Sequence, residues 1–183
     1  MKKLAMVLAL LVPQLVCAQT MNLLGVSSGM PATTVVQPPK VDAYSITMLA
    51  RCIAAEAGGD YFSGPDAKES VGATVVNIIQ SRYGIKQVTA DDIHRLLRDQ
   101  PGYLSSLHDG NAGLFNRDAK WFKANGYRGC LVAAKAVLNG ADPSGGATHW
   151  YDASIPAPYS ARRIRVTHQA QTAGKKLVFY VFR

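Results

Sequence analysis

The sequence predicts an α+β domain, mainly helical, with a small antiparallel sheet at its C-terminal end. Two observations carry this. From about Val41 to Asn139, apolar residues recur at helical spacing between recognisable capping residues. After Asp142-Pro143 the chain turns to alternating, β-branched and aromatic segments separated by turn residues. Helices first and strands last is the pattern of an α+β domain.

Each element has a local reason. Asp42 or Ser45 caps a first helix that runs to about Ala57 and ends at Gly58-Gly59. Its apolar residues cover nearly the whole circumference, which predicts a buried central helix. Pro65 and Asp66 open a second helix, with Val71, Val75, Ile78 and Ile79 as its apolar stripe and Gly84 as its stop. Thr89, with Asp92 three residues on, caps a third helix over Ile93 to Arg98. Tyr127 to Asn139, before Gly140, is a further short helix. Strands are expected at Ala147 to Tyr151, Arg163 to Gln169 and Lys176 to Phe182, the last two joined as a hairpin through Thr172-Ala173-Gly174.

The chain of 183 residues is 48% hydrophobic and 17% charged, which excludes a disordered chain and a membrane-spanning one. Its first eighteen residues read as an export signal. Lys2 and Lys3 form a basic start, Leu4 to Val12 a short apolar run, and Val16-Cys17-Ala18 a cleavage site after Ala18; the alternatives are a segment retained as an anchor and lipidation at Cys17, for which Gln14-Leu15-Val16 is a poor approach. Residues 19–40, rich in Ser, Thr, Pro and Gly, read as a linker or loose arm, and 41–183 as one domain without internal repeats. The expected location is the periplasm, the cell wall or the extracellular space, with no stable membrane insertion once the signal is removed. Cys52 and Cys130 then remain, and an even pair in an oxidising compartment predicts one disulfide; the alternative is two buried thiols. The formal charge is +8, or +6 without Lys2 and Lys3. The basic residues are scattered apart from Arg162-Arg163-Ile164-Arg165, and no nucleic-acid motif with interleaved aromatics is present. An acidic wall polymer is the most economical partner for this charge.

Glu56 is the sharpest chemical feature. It is the only carboxylate between Asp42 and Asp60, in the last turn of a helix that otherwise reads as buried. Desolvation and the negative end of the helix dipole both disfavour its anion, the condition a general acid at neutral pH needs. The bland alternative is an exposed Glu at a frayed helix end.

The run Met48 to Asp60 resembles the opening motif of the SleB/CwlJ-type cell-wall hydrolases, in which Ala-Glu-Ala is followed by a small-residue turn and an acid. Val71 to Arg82 is similar to the second helix of that family, with Asn77 after a Val/Ala-rich run. Ala133 to Gly140, Asp142-Pro143-Ser144-Gly145-Gly146-Ala147 with Trp150-Tyr151, and Gly174 to Tyr180 follow in the family's order. The resemblance covers about residues 44 to 183. It departs from the family at Lys175 and Lys176, where a His is common, and between Gln100 and Asn125.

The resemblance implies a lysozyme- or transglycosylase-like domain acting on peptidoglycan. It implies that Glu56 protonates the glycosidic oxygen between N-acetylmuramic acid and N-acetylglucosamine. Tyr151 and Trp150 can stack on sugar rings or simply pack a strand onto the helices. His149 can lie beside them, Asn77 and Gln80 can shape the groove, and Asp60 can support Glu56. A second carboxylate would be drawn from Asp60, Asp66, Asp109, Asp142 and Asp152, none of which has the isolated apolar setting of Glu56. Lack of an obvious pair favours a lytic transglycosylase, in which one Glu serves as acid and then as base. No cofactor is expected. The four histidines, His94, His108, His149 and His168, show no metal spacing and no His-Glu-x-x-His, which weighs against a zinc amidase. A non-catalytic wall-binding module is the remaining alternative, and a buried Glu at a helix end is costly unless it serves something.

Overall fold

The structure, a computed structural model, describes residues 41–104, 111–159 and 162–183. The expected signal at 1–18 with Cys17, the arm at 19–40, and Asp109 lie outside the described residues.

Helix α1, Ala43–Ala57, starts where expected. The Asp42 carboxylate accepts from the Ser45 backbone N–H (2.8 Å) and the Ser45 hydroxyl, satisfying donors that a helix start leaves open. Gly58, at φ 79°, takes the left-handed backbone that ends it. α1 is buried along most of its length, from Met48 to Ala55 on every side but that of Arg51. α2 (Pro65–Tyr83) begins on its proline and ends at Gly84 in the left-handed region. α3 (Ala90–Asp99) carries a complete capping box between Thr89 and Asp92. A 3-10 turn at Ala112–Asn116, a short α4 (Ala119–Ala124) capped by Asp118, and α5 (Arg128–Leu138) complete the helical part. The α1–α2–α5 packing is close because of Gly72: a methyl there would stand 2.8 Å from Ile53 Cδ1.

The sheet is three-stranded and antiparallel, in the order β1 (His149–Asp152), β3 (Lys176–Phe182), β2 (Ile164–Gln171). β2 and β3 form the expected hairpin, with one irregularity between Val166 and His168. Alternation decides which side chains meet the helices. Phe179 and Leu177 join the helical core, and Trp150, opposite Phe179, packs against it as well. Tyr180 and its partner His149 belong to the other face, where Tyr159 and Phe182 pack on Tyr180. The described residues therefore make an α+β unit, helix-rich with a small sheet. Among them, no helix is long and apolar enough to cross a membrane.

The expected disulfide is corrected: Cys52 and Cys130 are both free and buried. They sit in different surroundings. The charge of Glu56 reaches Cys52, whereas Cys130 donates to the Gly58 carbonyl (3.5 Å) and feels Lys68 and Asp60. Counting cysteines does not reveal which side of a helix each sulfur occupies. Burial pushes both thiols up to about 12 from an ordinary 9. The fold thus holds these protons more tightly than the unfolded chain does. Their contribution to stability is whole below about pH 9 and is lost as pH rises toward 12. The urea midpoint is expected to fall between pH 8 and pH 10.5, less steeply in Cys52→Ala. Both thiols should resist iodoacetamide until urea unfolds the chain; prompt labelling of the native protein at pH 8 would contradict this.

Candidate active site

The site is built around the end of α1. Glu56, half-buried, lies one residue before the helix ends, and no basic residue occupies that last turn. The following turn is fixed by packing. Gly58 places its backbone against Phe62, and Phe62 N–H donates to the Gly59 carbonyl (3.0 Å). Asp60 N–H donates to the Gly126 carbonyl (2.6 Å).

Two open cavities, here called lobes, share Glu56 and Trp150 in their walls. The first lobe, of about 560 Å³, is walled by Phe62, Asn111, Tyr127, Asp152, Ile155 and Lys175 around them. The second, of about 470 Å³, is walled by Asp99, Gln100, Gly102, Tyr103 and His149. Both volumes fall in the range of small-ligand sites. The lobes come from different parts of the fold: α1 and its turn, the segment after α3, and the edge strand β1.

Tyr103 holds the wall of the second lobe against Trp150. Its hydroxyl donates to the Thr148 carbonyl (2.8 Å), and its ring meets Trp150 edge to face at 5.7 Å. Burial first, and the nearby Glu56 charge second, hold the Tyr103 phenol well above its ordinary range, so it remains a neutral donor. Burial lowers the pKa of His149, which keeps that ring neutral at pH 7; it stacks on Tyr180 at 5.5 Å. The Asn111 side-chain N–H donates to the Ala55 carbonyl (3.2 Å), one of the carbonyls the end of α1 leaves open.

The expected site residues divide into two groups. Glu56 and Trp150 meet in both lobes; His149 joins the second lobe and Tyr151 the first, although the Tyr151 ring packs on Tyr180 at 5.9 Å. Asn77, Gln80 and Asp60 are not in the walls of these two lobes; Asn77 and Gln80 line a further open cavity together with His149. Gln80 donates to the Lys86 carbonyl (2.8 Å) within its own connection. Asp60 accepts from Gly129 N–H (3.0 and 3.1 Å) in the first turn of α5 and pairs with Lys68, so it pins the turn after Glu56 from behind.

Asn77 ties two parts of the fold together. Its side-chain nitrogen faces Asp142 Oδ2 (3.2 Å), Ser144 Oγ (3.2 Å) and the Ala147 carbonyl (3.0 Å), binding α2 to the turn that delivers β1. Asn77→Ala is expected to cost about 2 kcal/mol of folding stability, since partly buried acceptors lose their donor. Asn77→Asp should fare no better, because its second oxygen would face Asp142. A urea midpoint unchanged in Asn77→Ala would refute the tie.

Among the candidate second carboxylates, Asp66 is held by His168 (3.1 Å) and Asp142 by Asn77, Ser144 and Gly146. Asp152 is in the wall of the first lobe, with Oδ1 accepting from Ser154 N–H (2.9 Å) and Oδ2 3.5 Å from Lys175. Those hydrogen bonds, that of Ser154 first, hold the carboxyl below its usual range. Among the described residues, no three His, Cys, Asp or Glu side chains converge as a metal site would require.

Sequence reasoning missed Tyr103, Asn111, Gln100 and Asp99. Asp99 and Gln100 close α3 and Tyr103 lies in the turn after it, where no period in the sequence marks a residue as facing a cavity. Comparison of the chain with protein-family models, with curated proteins and with solved structures finds no match.

Proposed function

We propose that the protein cleaves the glycan strand of peptidoglycan between N-acetylmuramic acid and N-acetylglucosamine, as a lytic transglycosylase with Glu56 as acid and then base. The observation that carries this reading is the position of Glu56 in the walls of both open lobes. Open space on both sides of a proton donor suits the middle of a polymer better than a small molecule. Trp150, beside Glu56 in both lobes, offers a flat apolar surface of the kind a sugar ring packs on. The motif order that resembles the SleB/CwlJ-type hydrolases points the same way.

In this mechanism Glu56 gives its proton to the glycosidic oxygen as the bond to the muramic C1 breaks. The Glu56 carboxylate then takes the proton of the muramic C6 hydroxyl, whose oxygen closes on C1. The product is a 1,6-anhydro end, and Glu56 is protonated again. The environment of Asp152 favours this over hydrolysis. Each of its oxygens already has a partner in the wall, Ser154 N–H for one and Lys175 for the other, whereas Glu56 is the carboxylate that both lobes share.

A second reading rests on Asp152 being in the same lobe as Glu56: a hydrolase in which Asp152 supplies the other carboxylate. Mass spectrometry of digested wall separates the two. Anhydro ends support the transglycosylase, and reducing ends alone would replace it with the hydrolase. Release of free stem peptides would instead indicate an amidase, and binding without any cleavage a wall-binding module.

A further inference from the structure

The hairpin turn between β2 and β3 is braced against the turn that follows Glu56. Ser63 and Thr172 form a β-bridge, and Ala173 N–H donates to the Phe62 carbonyl. Within the turn, the Thr172 backbone N–H (2.8 Å) and hydroxyl (3.1 Å) both donate to the Lys175 carbonyl. Lys175 is therefore carried on a backbone fixed relative to Glu56, at the wall of the first lobe.

Its charge is incompletely used. The ammonium stands 3.5 Å from Asp152, and the Lys175 side chain is 66% exposed against 21% for Asp152. Such an exposed pair contributes little, so a second acceptor can share the ammonium at small cost. Among the described residues, Lys175 is the one cation in the walls of either lobe. The second lobe has an acid instead, Asp99, which is met by Arg98 (3.3 Å), Arg95 (3.7 Å) and the Tyr83 hydroxyl (3.1 Å). The two lobes thus differ in the charged group each offers: a largely exposed ammonium beside Asp152 in the first, and in the second a carboxylate already met by two arginines.

The proposed substrate is asymmetric too. N-Acetylglucosamine is neutral, whereas each muramic unit carries a lactyl arm that ends in a carboxylate or continues into a peptide bearing carboxylates. We propose that Lys175 binds a carboxylate on this arm and so fixes the direction of the strand: the muramic unit in the lobe of Lys175, the neutral sugar in the lobe of Tyr103 and Gln100. This rests on the glycan-cleaving reading, since it orients that substrate across Glu56.

The test measures binding in the full chain carrying Glu56→Gln, which removes turnover. Three soluble glycan probes are compared: strands with intact peptides, strands stripped of peptide so that lactyl carboxylates are free, and strands whose carboxylates have been converted to neutral amides. Adding Lys175→Met should weaken binding of at least one carboxylate-bearing probe about tenfold, the scale of one charge-assisted hydrogen bond. Lys175→Arg should restore most of it, and the amidated strands should bind both forms equally. The probe that shows the loss identifies the source of the carboxylate. Equal binding of all three probes with and without Lys175→Met would overturn the proposal. Failure of the functional reading appears elsewhere, as absence of glycan cleavage by the native protein, and is separable from this result.

Discussion

Replacing Glu56 by Gln is expected to slow glycan cleavage by about 10²–10⁴-fold, the range over which a positioned general acid acts. The amide keeps the length and polarity of the carboxyl group but has no acidic proton to give. Tyr103 is anchored by the backbone carbonyls of Thr148 and Thr74, and Asn111 by that of Ala55, all of which the substitution leaves in place. The loss should therefore fall on the rate, with circular dichroism and the urea midpoint close to native. Dye release from labelled wall gives the rate, and mass spectrometry of the products gives the bond cut. Residual activity equal to the native rate would move the chemistry to another group, with Asp152 the first to replace next.

Much of the helical frame was legible because helix ends are written in local chemistry. Asp42, the Thr89–Asp92 box, Pro65 and Gly84 each act on backbone groups within four residues, so no tertiary information is needed to place them. The 3-10 turn at Ala112–Asn116 and α4 at Ala119–Ala124 were missed because so few residues cannot establish a period. β1 starts at His149, not Ala147; Ala147 is buried beneath the turn that Asn77 holds. Glu56 stood out because it is a lone acid in an apolar helix. The second lobe did not, because Gln100 and Tyr103 reach the cleft only through the path of the chain after α3. Asn77 was recognisable as a polar group on a largely apolar helix, but its partners lie some 65 to 70 residues away, where spacing says nothing. The same limit misled the cysteine count.

Lys68→Ala is the substitution expected to cost the fold most, about 3 kcal/mol. Lys68 is 2% exposed, and its ammonium donates to the Gly59 carbonyl (3.3 Å) and the Ser63 carbonyl and pairs with Asp60 at 3.5 Å. Asp60 in turn accepts from Gly129, whose missing side chain makes room: a Cβ there would stand 2.5 Å from Asp60 Oδ1. One buried cation thus holds the whole turn after Glu56 against α2 and α5. Two effects oppose each other. Desolvating an ammonium is expensive, and replacing a buried ion pair with an apolar side chain can be neutral. Alanine, however, loses the packed stem as well and takes the ammonium from the Ser63 carbonyl and Asp60, while the Gly59 carbonyl keeps the Phe62 and Ser63 N–H groups, so the cavity and the unmet acceptors prevail. Lys68→Met separates these contributions, since it keeps most of the volume: it should cost roughly half as much, all of it from the lost donors. Urea unfolding measures both variants. The expected order is native, then Met, then Ala, and wall cleavage should fall in the same order, because the loosened turn carries Phe62 and adjoins Glu56. A Met variant as stable as the native protein would show that desolvation cancels the pairing, leaving the position of the turn to packing alone. An Ala variant within 0.5 kcal/mol of native would refute the pin altogether.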